Sequence, residues 1–315
     1  VRRGAVIPPR RPEGIRWLRS DGMPNFSDRV HKHPGDAKLI AKRPVYTTTK
    51  TATVLAAAEE MTRFNVRALP VVVPNQEKLE GMLTVMDLVN YLGGGDLYNI
   101  VRNRHKLNIY SALLKEHVES IMNPNPVYVT IYDKLPKILE VMVLKGVGVV
   151  PVVMEDGGLW GIITEHDLVR ELVEKKVGVK VAEVMSKNVI TINSKASIKE
   201  AAETMIKYGI RRLPIVEDNG SIWGMITAKD IVRFFGSHDV FRYTESDNIE
   251  DALKAPVKLV GAPGYASISP DADVGDAATL MAEKGVSSLL VVENNELKGI
   301  ITERDILYAV AAKRE

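Results

Sequence analysis

The chain has 315 residues, 45% of them hydrophobic and 26% charged, the balance of an ordinary soluble globular protein with room for about two domains. It has no cysteine, which excludes disulfides, thiolate metal sites and a cysteine nucleophile and fits a cytoplasmic protein. No run approaches ~18 uninterrupted apolar residues, so no membrane span is expected, and residues near position 1 lack the charged-then-apolar order of a signal peptide. The net charge of +2 hides an asymmetry: residues 1–43 hold eleven Lys/Arg against four Asp/Glu, which leaves −5 for the remainder.

Residues 1–36 are rich in Arg, Pro and Gly (Pro8, Pro9, Arg10, Arg11, Pro12) without a sustained period, and they read as a basic arm. Such an arm can hold nucleic acid through its phosphates. The plainer alternative is that it packs across an acidic surface of its own chain or of a partner protein. From 37 to 92 a unit follows: a short β-rich run at 45–49, a helix over 54–64 with Thr53 as N-cap, an apolar strand from Arg67, a polar turn, a second strand, and a helix over 84–92. Gly93-Gly94-Gly95 opens a connecting segment, 93–117, with helical character from 111 onward; no G-K-[ST] follows, so this is no phosphate loop.

The same order of elements returns three times, over 118–174, 178–236 and 249–312. The second unit has Pro136 at the first position of its helix, the third has the capping box Ser197-x-x-Glu200, and the fourth has Asp273 as cap. Short related lead-ins precede them, V-E-S-I-M at 118, V-A-E-V-M at 181 and I-E-D-A-L at 249. Asn219-Gly220 between two apolar runs predicts a hairpin turn with both residues at positive φ. Each unit closes on G-x-x-T-x-x-D, beginning at Gly81, Gly161, Gly224 and Gly299. Repetition of this kind settles the architecture before any single motif does. Thr-x-x-Asp has two readings, an N-cap with an acidic third position or a ligand contact, and four identical acids where capping boxes favour Glu or Gln weigh toward the second.

The pattern of apolar strand, helix, [I/V]-R-x-L-P-[V/I]-V, turn and G-[I/M]-[I/L]-T-x-x-D resembles the cystathionine β-synthase (CBS) domain. Four copies covering 37–312 look like the γ subunit of AMP-activated protein kinase and like stand-alone archaeal and bacterial four-repeat proteins. The resemblance implies an α+β fold of four tandem repeats in which consecutive copies associate into two modules, possible partners in a flat disc. It also implies clefts that take AMP, ADP, ATP or another adenosyl compound such as S-adenosylmethionine. Carried onto this chain, Thr84, Thr164, Thr227 and Thr302 would touch phosphate or ribose at a helix N-terminus, and Asp87, Asp167, Asp230 and Asp305 would grip the ribose. Arg67, Arg211 and Arg212 match phosphate-contacting positions. His166, Lys229 and Arg304, inside three of the motifs, are weaker candidates. Val149 and Val150 stand where the arginine is expected in the second repeat, and Ser287-Ser288-Leu289-Leu290 lacks both arginine and proline in the fourth, so repeats one and three are the first candidates for occupied sites.

An enzyme is the less favoured class. The histidines (31, 33, 105, 117, 166, 238) are scattered, His31-x-His33 reads as tail and not as a metal site, and G-x-S-x-G, H-E-x-x-H and Walker motifs are missing. The expectation is a ligand-responsive regulatory protein with no catalytic cofactor, an unidentified protein partner and a possible homodimer. The alternative is a nucleic-acid binder led by the arm, for which no helix-turn-helix or zinc pattern speaks.

Overall fold

The computed structural model describes residues 37–172 and 176–311. The expected basic arm, with His31 and His33, lies outside them. Each repeat has a long helix, an antiparallel hairpin and a closing helix: Val54–Phe64, Ala68–Val72/Leu79–Thr84 and Val85–Val89 in the first; Leu135–Lys145, Val149–Val153/Leu159–Thr164 and Glu165–Leu172 in the second; Ile198–Tyr208, Arg212–Val216/Ile222–Thr227 and Ala228–Gly236 in the third; Val274–Lys284, Ser288–Glu293/Glu296–Thr302 and Glu303–Ala311 in the fourth. A short strand ahead of the long helix runs parallel to the first hairpin strand in repeats two, three and four. In the first repeat it shrinks to a bridge of Thr48 with Val71.

Local signals account for the helix ends. Thr53 accepts from the Ala56 amide, Ser197 and Glu200 form a reciprocal capping box, and Asp273 accepts from Gly275. All four long helices stop on a left-handed residue, Asn65, Gly146, Gly209 and Gly285, with φ of 51°, 62°, 64° and 63°. Pro136 is the second residue of its helix, not the first. At the third hairpin only Gly220 of the expected pair has positive φ, 85°; Asn219 instead accepts the Ser221 amide at 3.0 Å on its side chain. Two adjacent positive-φ residues occur instead in the turn of the fourth hairpin, at Asn294 and Asn295.

The four hairpins share one irregularity. Pairing skips a residue on the second strand just before the motif glycine, at Glu80, Trp160, Trp223 and Lys298, a bulge that turns this side chain out of the ladder. Immediately after the glycine, the outer edge of each hairpin receives the lead-in of a neighbouring repeat: Asn123 pairs with Met82, Lys42 with Ile162, Ser186 with Ile300, and Ala262–Pro263 with Gly224 and Met225. Consecutive repeats thus exchange lead-ins, one with two and three with four. The motif glycine makes room for this: a Cβ at Gly161 would lie 2.9 Å from the Lys42 carbonyl oxygen, one at Gly299 2.7 Å from that of Ser186, and one at Gly224 would overlap the Ala262 carbonyl.

The chain divides into two compact units. Residues 46–126 and 190–264 form one, and 37–45, 127–172, 176–189 and 265–311 the other. Alternate repeats therefore share a core. In the first unit the closing helix of repeat three packs on the long helix of repeat one, and Leu69, Val71, Leu83, Leu88, Tyr91, Ile198 and Phe235 are fully buried. In the second the closing helices of repeats two and four pack together over Ile138, Val150, Ile163, Leu289, Ile301 and Ile306. The segment after the first repeat belongs to the first core. The closing helix passes into a π-helical turn, Asn90–Gly94, and helices Tyr98–Asn103 and Ile109–Leu114 follow. A Cβ on Gly94 would meet Ile206 at 2.7 Å and the Ala202 carbonyl at 2.8 Å, so the glycine triplet serves close packing on the third repeat. A buried cluster pins this segment: His105 bonds Glu116 at 2.6 Å and Ser111 at 2.7 Å, and Arg104 and Ser120 reach the other Glu116 oxygen at 2.7 Å each. Burial alone would raise the Glu116 carboxyl, but these partners hold it below the usual carboxylate range. Among the described residues no helix is long and apolar enough to cross a membrane.

Replacing Gly224 by Ala drives a methyl into backbone, which cannot swing aside, and is expected to cost about 2–3 kcal/mol, whereas Gly81→Ala first meets the flexible Met122 thioether at 2.7 Å and is expected to cost about 1 kcal/mol. Urea midpoints of the two variants measure the difference; equal midpoints would show that lead-in exchange does not depend on the glycine.

Candidate functional site

The four Thr-x-x-Asp motifs adopt one geometry. Thr84, Thr164, Thr227 and Thr302 end the second hairpin strand, and each amide donates to Oδ2 of the acid three residues on, at 2.9, 2.9, 2.8 and 2.9 Å. The Asp87, Asp167, Asp230 and Asp305 amides return a bond to the threonine hydroxyl oxygen at 3.2, 3.3, 3.2 and 3.3 Å. The capping reading is therefore realised in every copy. It engages one carboxylate oxygen, and a carboxylate offers about four lone-pair positions. Oδ1 of Asp230 accepts from Arg233 at 2.9 Å, and Oδ1 of Asp167 is in ionic contact with Lys42 at 2.7 Å.

A second backbone bond locks each motif to the start of its hairpin. The first amide of the closing helix donates to the carbonyl of Arg67, Gly148, Arg211 and Ser287 in the four repeats, at 2.8, 3.0, 2.7 and 3.1 Å. This contact defines the equivalent positions. Arg211 is the counterpart of Arg67, Arg212 is the counterpart of Ala68, paired across the hairpin with Thr227, and the second repeat has Gly148 in the arginine's place. The sequence alignment on Val149 and Val150 is one residue out, because glycine carries no side chain to mark the position.

Inside the motifs the two units diverge. In the first unit the closing helices begin Val85-Met86-Asp87 and Ala228-Lys229-Asp230. Lys229 reaches from repeat three to the helix end of repeat one, where its ammonium donates to the Asn65 backbone carbonyl and side chain at 3.1 Å each. Lost hydration holds this half-buried ammonium below the ordinary lysine range, the charges of Arg67 and Arg233 press it down further, and Asp230 works against them. Arg67, Lys229, Arg233 and Asp230 are thus brought together from two repeats. In the second unit the helices begin Glu165-His166-Asp167 and Glu303-Arg304-Asp305, with all four acids buried. The middle residues cross-pair: His166 Nδ1 lies 2.9 Å from Glu303, and Arg304 donates to both Glu165 oxygens at 3.2 and 3.3 Å. Burial works to lower the Arg304 guanidinium, and Glu165 more than reverses it. His166 and Arg304 are therefore tied into repeat-bridging ion pairs, while Lys229 sits among like charges.

Asn65, Arg233, Glu165, Glu303 and Lys42 were not read from the sequence. The paired T-E-x-D at 164 and 302 was visible as a signal for the two glutamates. Lys42 lies 125 residues from its acid, which no spacing rule reveals. Among the described residues no group of three or more His, Asp or Glu is arranged to hold a metal.

Comparison with known proteins agrees with this arrangement. The CBS domain family model matches residues 37–94, 118–174, 181–237 and 260–312. Protein MJ1225 of Methanocaldococcus jannaschii is 29% identical over 272 residues, 86% of this chain and 96% of its own length. Its crystal structure, presented as that of a proposed archaeal homolog of g-AMPK, superposes with a TM-score of 0.82 over 87% of this chain and 99% of its own. A 33.4 kDa protein in the ribosomal RNA operon of Thermofilum pendens is 31% identical over 264 residues, 84% of this chain and 87% of its own. Four matched segments, each carrying the same bulged hairpin, motif glycine and capped acid, place the chain in the CBS domain family.

Proposed function

We propose that the protein is a regulatory binder of adenine nucleotides, with the motifs of repeats one and three as the principal site. The observation that carries this reading is the gathering of Arg67, Arg233 and Asp230 around Lys229, which bridges from repeat three to Asn65 of repeat one. Three cations held close together repel one another, and an anion such as a phosphate relieves that cost. Asp87 and Asp230 supply acceptors for ribose hydroxyls, and Thr84 and Thr227 lie at helix starts where a phosphate is favoured. The likeness to MJ1225, whose crystal structure is presented as that of a proposed archaeal homolog of g-AMPK, is in keeping with an adenosyl ligand. In the second unit Asp167 and Asp305 serve a ribose in the same way, with Glu165 and Glu303 occupied by their own bridges. A ligand that binds one arrangement of the repeats better than another shifts their populations, and a protein partner reads the shift. The chain acts as a sensor, not a catalyst.

Asp230→Asn tests the sugar contact. The asparagine oxygen still accepts the Thr227 amide while the charge is lost, so calorimetric AMP affinity is expected to fall about tenfold with the melting temperature of the unliganded protein nearly unchanged. Asp230→Ala additionally loses the cap, at about 1 kcal/mol. Stability loss without loss of AMP binding would leave the acid with a capping role alone.

Lys229 supplies a pH test. Because its folded pKa is lowered, the unfolded chain binds more protons between that value and the ordinary lysine pKa, and the unliganded protein gains stability as pH rises through this window. A bound phosphate draws the proton back, so AMP affinity is expected to fall over the same window. Both slopes, taken as the difference between the natural protein and Lys229→Met, are read by thermal melts and calorimetry; identical slopes in the two proteins would remove Lys229 from the site.

A further inference from the structure

The lead-ins are equivalent in backbone and unequal in side chain. At the position that bridges the residue after the motif glycine, the four hairpins receive Asn123, Lys42, Ser186 and Ala262. Only the second repeat is met by a cation. Lys42 is clamped there by two backbone bonds with Ile162, at 2.9 and 3.2 Å. Its neighbours hold the same segment on the bulge residue Trp160: the Arg43 guanidinium lies 3.8 Å from the ring centroid, the Lys38 ammonium 5.1 Å, and the indole N–H donates to the Lys38 carbonyl at 3.2 Å. From that anchored backbone the Lys42 ammonium reaches Asp167 Oδ1 at 2.7 Å, a half-exposed cation laid over an acid that is only 5% exposed.

The carboxylate has no other oxygen to offer. Oδ2 of Asp167 already accepts from both the amide and the hydroxyl of Thr164, each at 2.9 Å. A vicinal diol arriving at this acid must take Oδ1, the atom under Lys42. In the same unit Glu165, Glu303 and Asp305 are committed to Arg304, His166 and Thr302, and the Lys42 ammonium is the cation in contact with this oxygen.

We propose that Lys42 is a tethered competitor for the second-repeat acid: it occupies the oxygen a ribose needs, so its charge weakens ligand binding at this site, and ligand entry there loosens lead-in 37–43 from the hairpin. The proposal rests on the reading of Asp167 as a sugar contact. It makes the second repeat the one place where occupancy by an adenosyl ligand and docking of an exchanged segment exclude each other.

The test uses Lys42→Met, which keeps the aliphatic stem and removes the charge, titrated with adenosine and with AMP by calorimetry beside the natural protein and Asp167→Asn. One class of site is expected to bind adenosine about five- to tenfold more tightly in Lys42→Met, the scale of one partly buried ion pair, and Asp167→Asn is expected to lose that class. Hydrogen exchange over 37–43 is expected to quicken in unliganded Lys42→Met and, in the natural protein, on saturation with adenosine. Unchanged affinity in Lys42→Met overturns the competition, and weaker AMP binding makes Lys42 a ligand contact, which overturns it equally. If neither compound binds any of the three proteins, the nucleotide reading fails; the lock is then judged by exchange alone, and equal exchange over 37–43 in Lys42→Met and the natural protein sinks it.

Discussion

The close approach of an exchanged lead-in to a bare glycine is the contact on which the rest depends. Each hairpin has a backbone edge that would stay unpaired if the repeat stood alone, and unpaired edges are both costly and prone to wrong association. The neighbour's lead-in closes that edge, and it fits because the motif glycine leaves space for a carbonyl or a methionine sulfur about 3 Å away. The bulge one residue earlier serves the same end by turning out the side chain that then grips the arriving segment, as Trp160 does with Arg43 and Trp223 with Lys258. Glycine in the motif thus admits the neighbour, threonine ends the strand and caps the helix, and aspartate closes the box on the threonine amide.

Much of this was legible in the sequence because it is local. Continuous apolar runs separated by polar turns, Thr53, Ser197 and Asp273 as caps, and four copies of one motif all express short-range rules, and the structure follows them. What stayed hidden is long-range. That repeat one shares a core with repeat three depends on the faces of helices Val54–Phe64 and Ala228–Gly236, where Gly236 lies against Ala58 and Thr62. The connecting segment looked like a link because its apolar residues are split between two short helices, each too brief for a clear period. Its buried anchor, the Glu116 cluster, joins residues whose order in sequence resembles no motif. The turn at Asn219 differed because its side chain stabilises the turn from within, which removes the need for a second positive φ.

The candidate site was legible as residue types but not as roles. Threonine and aspartate could be read as cap or contact, and the geometry makes them caps in all four repeats while leaving Oδ1 for other partners. Those partners distinguish the copies. Arg233 takes that oxygen in the third repeat from the next turn of its own helix, and Lys42 takes it in the second from a segment contributed by another repeat. A motif alone carries no information on which cation meets its second oxygen.

The divergence between the units follows from two positions in an otherwise shared scaffold. Where the closing helices begin with glutamate, each acid is buried beside the middle residue of the opposite motif and charge is balanced internally, as in Glu165–Arg304 and Glu303–His166. Where they begin with Val85 and Ala228, no carboxylate stands at that position, and Lys229 donates to the neutral Asn65 while Arg67 and Arg233 repel it and Asp230 attracts it. The first arrangement is complete as it stands, since removing either partner would leave a buried charge uncompensated. The second carries an electrostatic cost that an anion lowers. One fold therefore holds two copies of the same geometry, one with its motif charges paired across repeats and one with a lysine set among like charges.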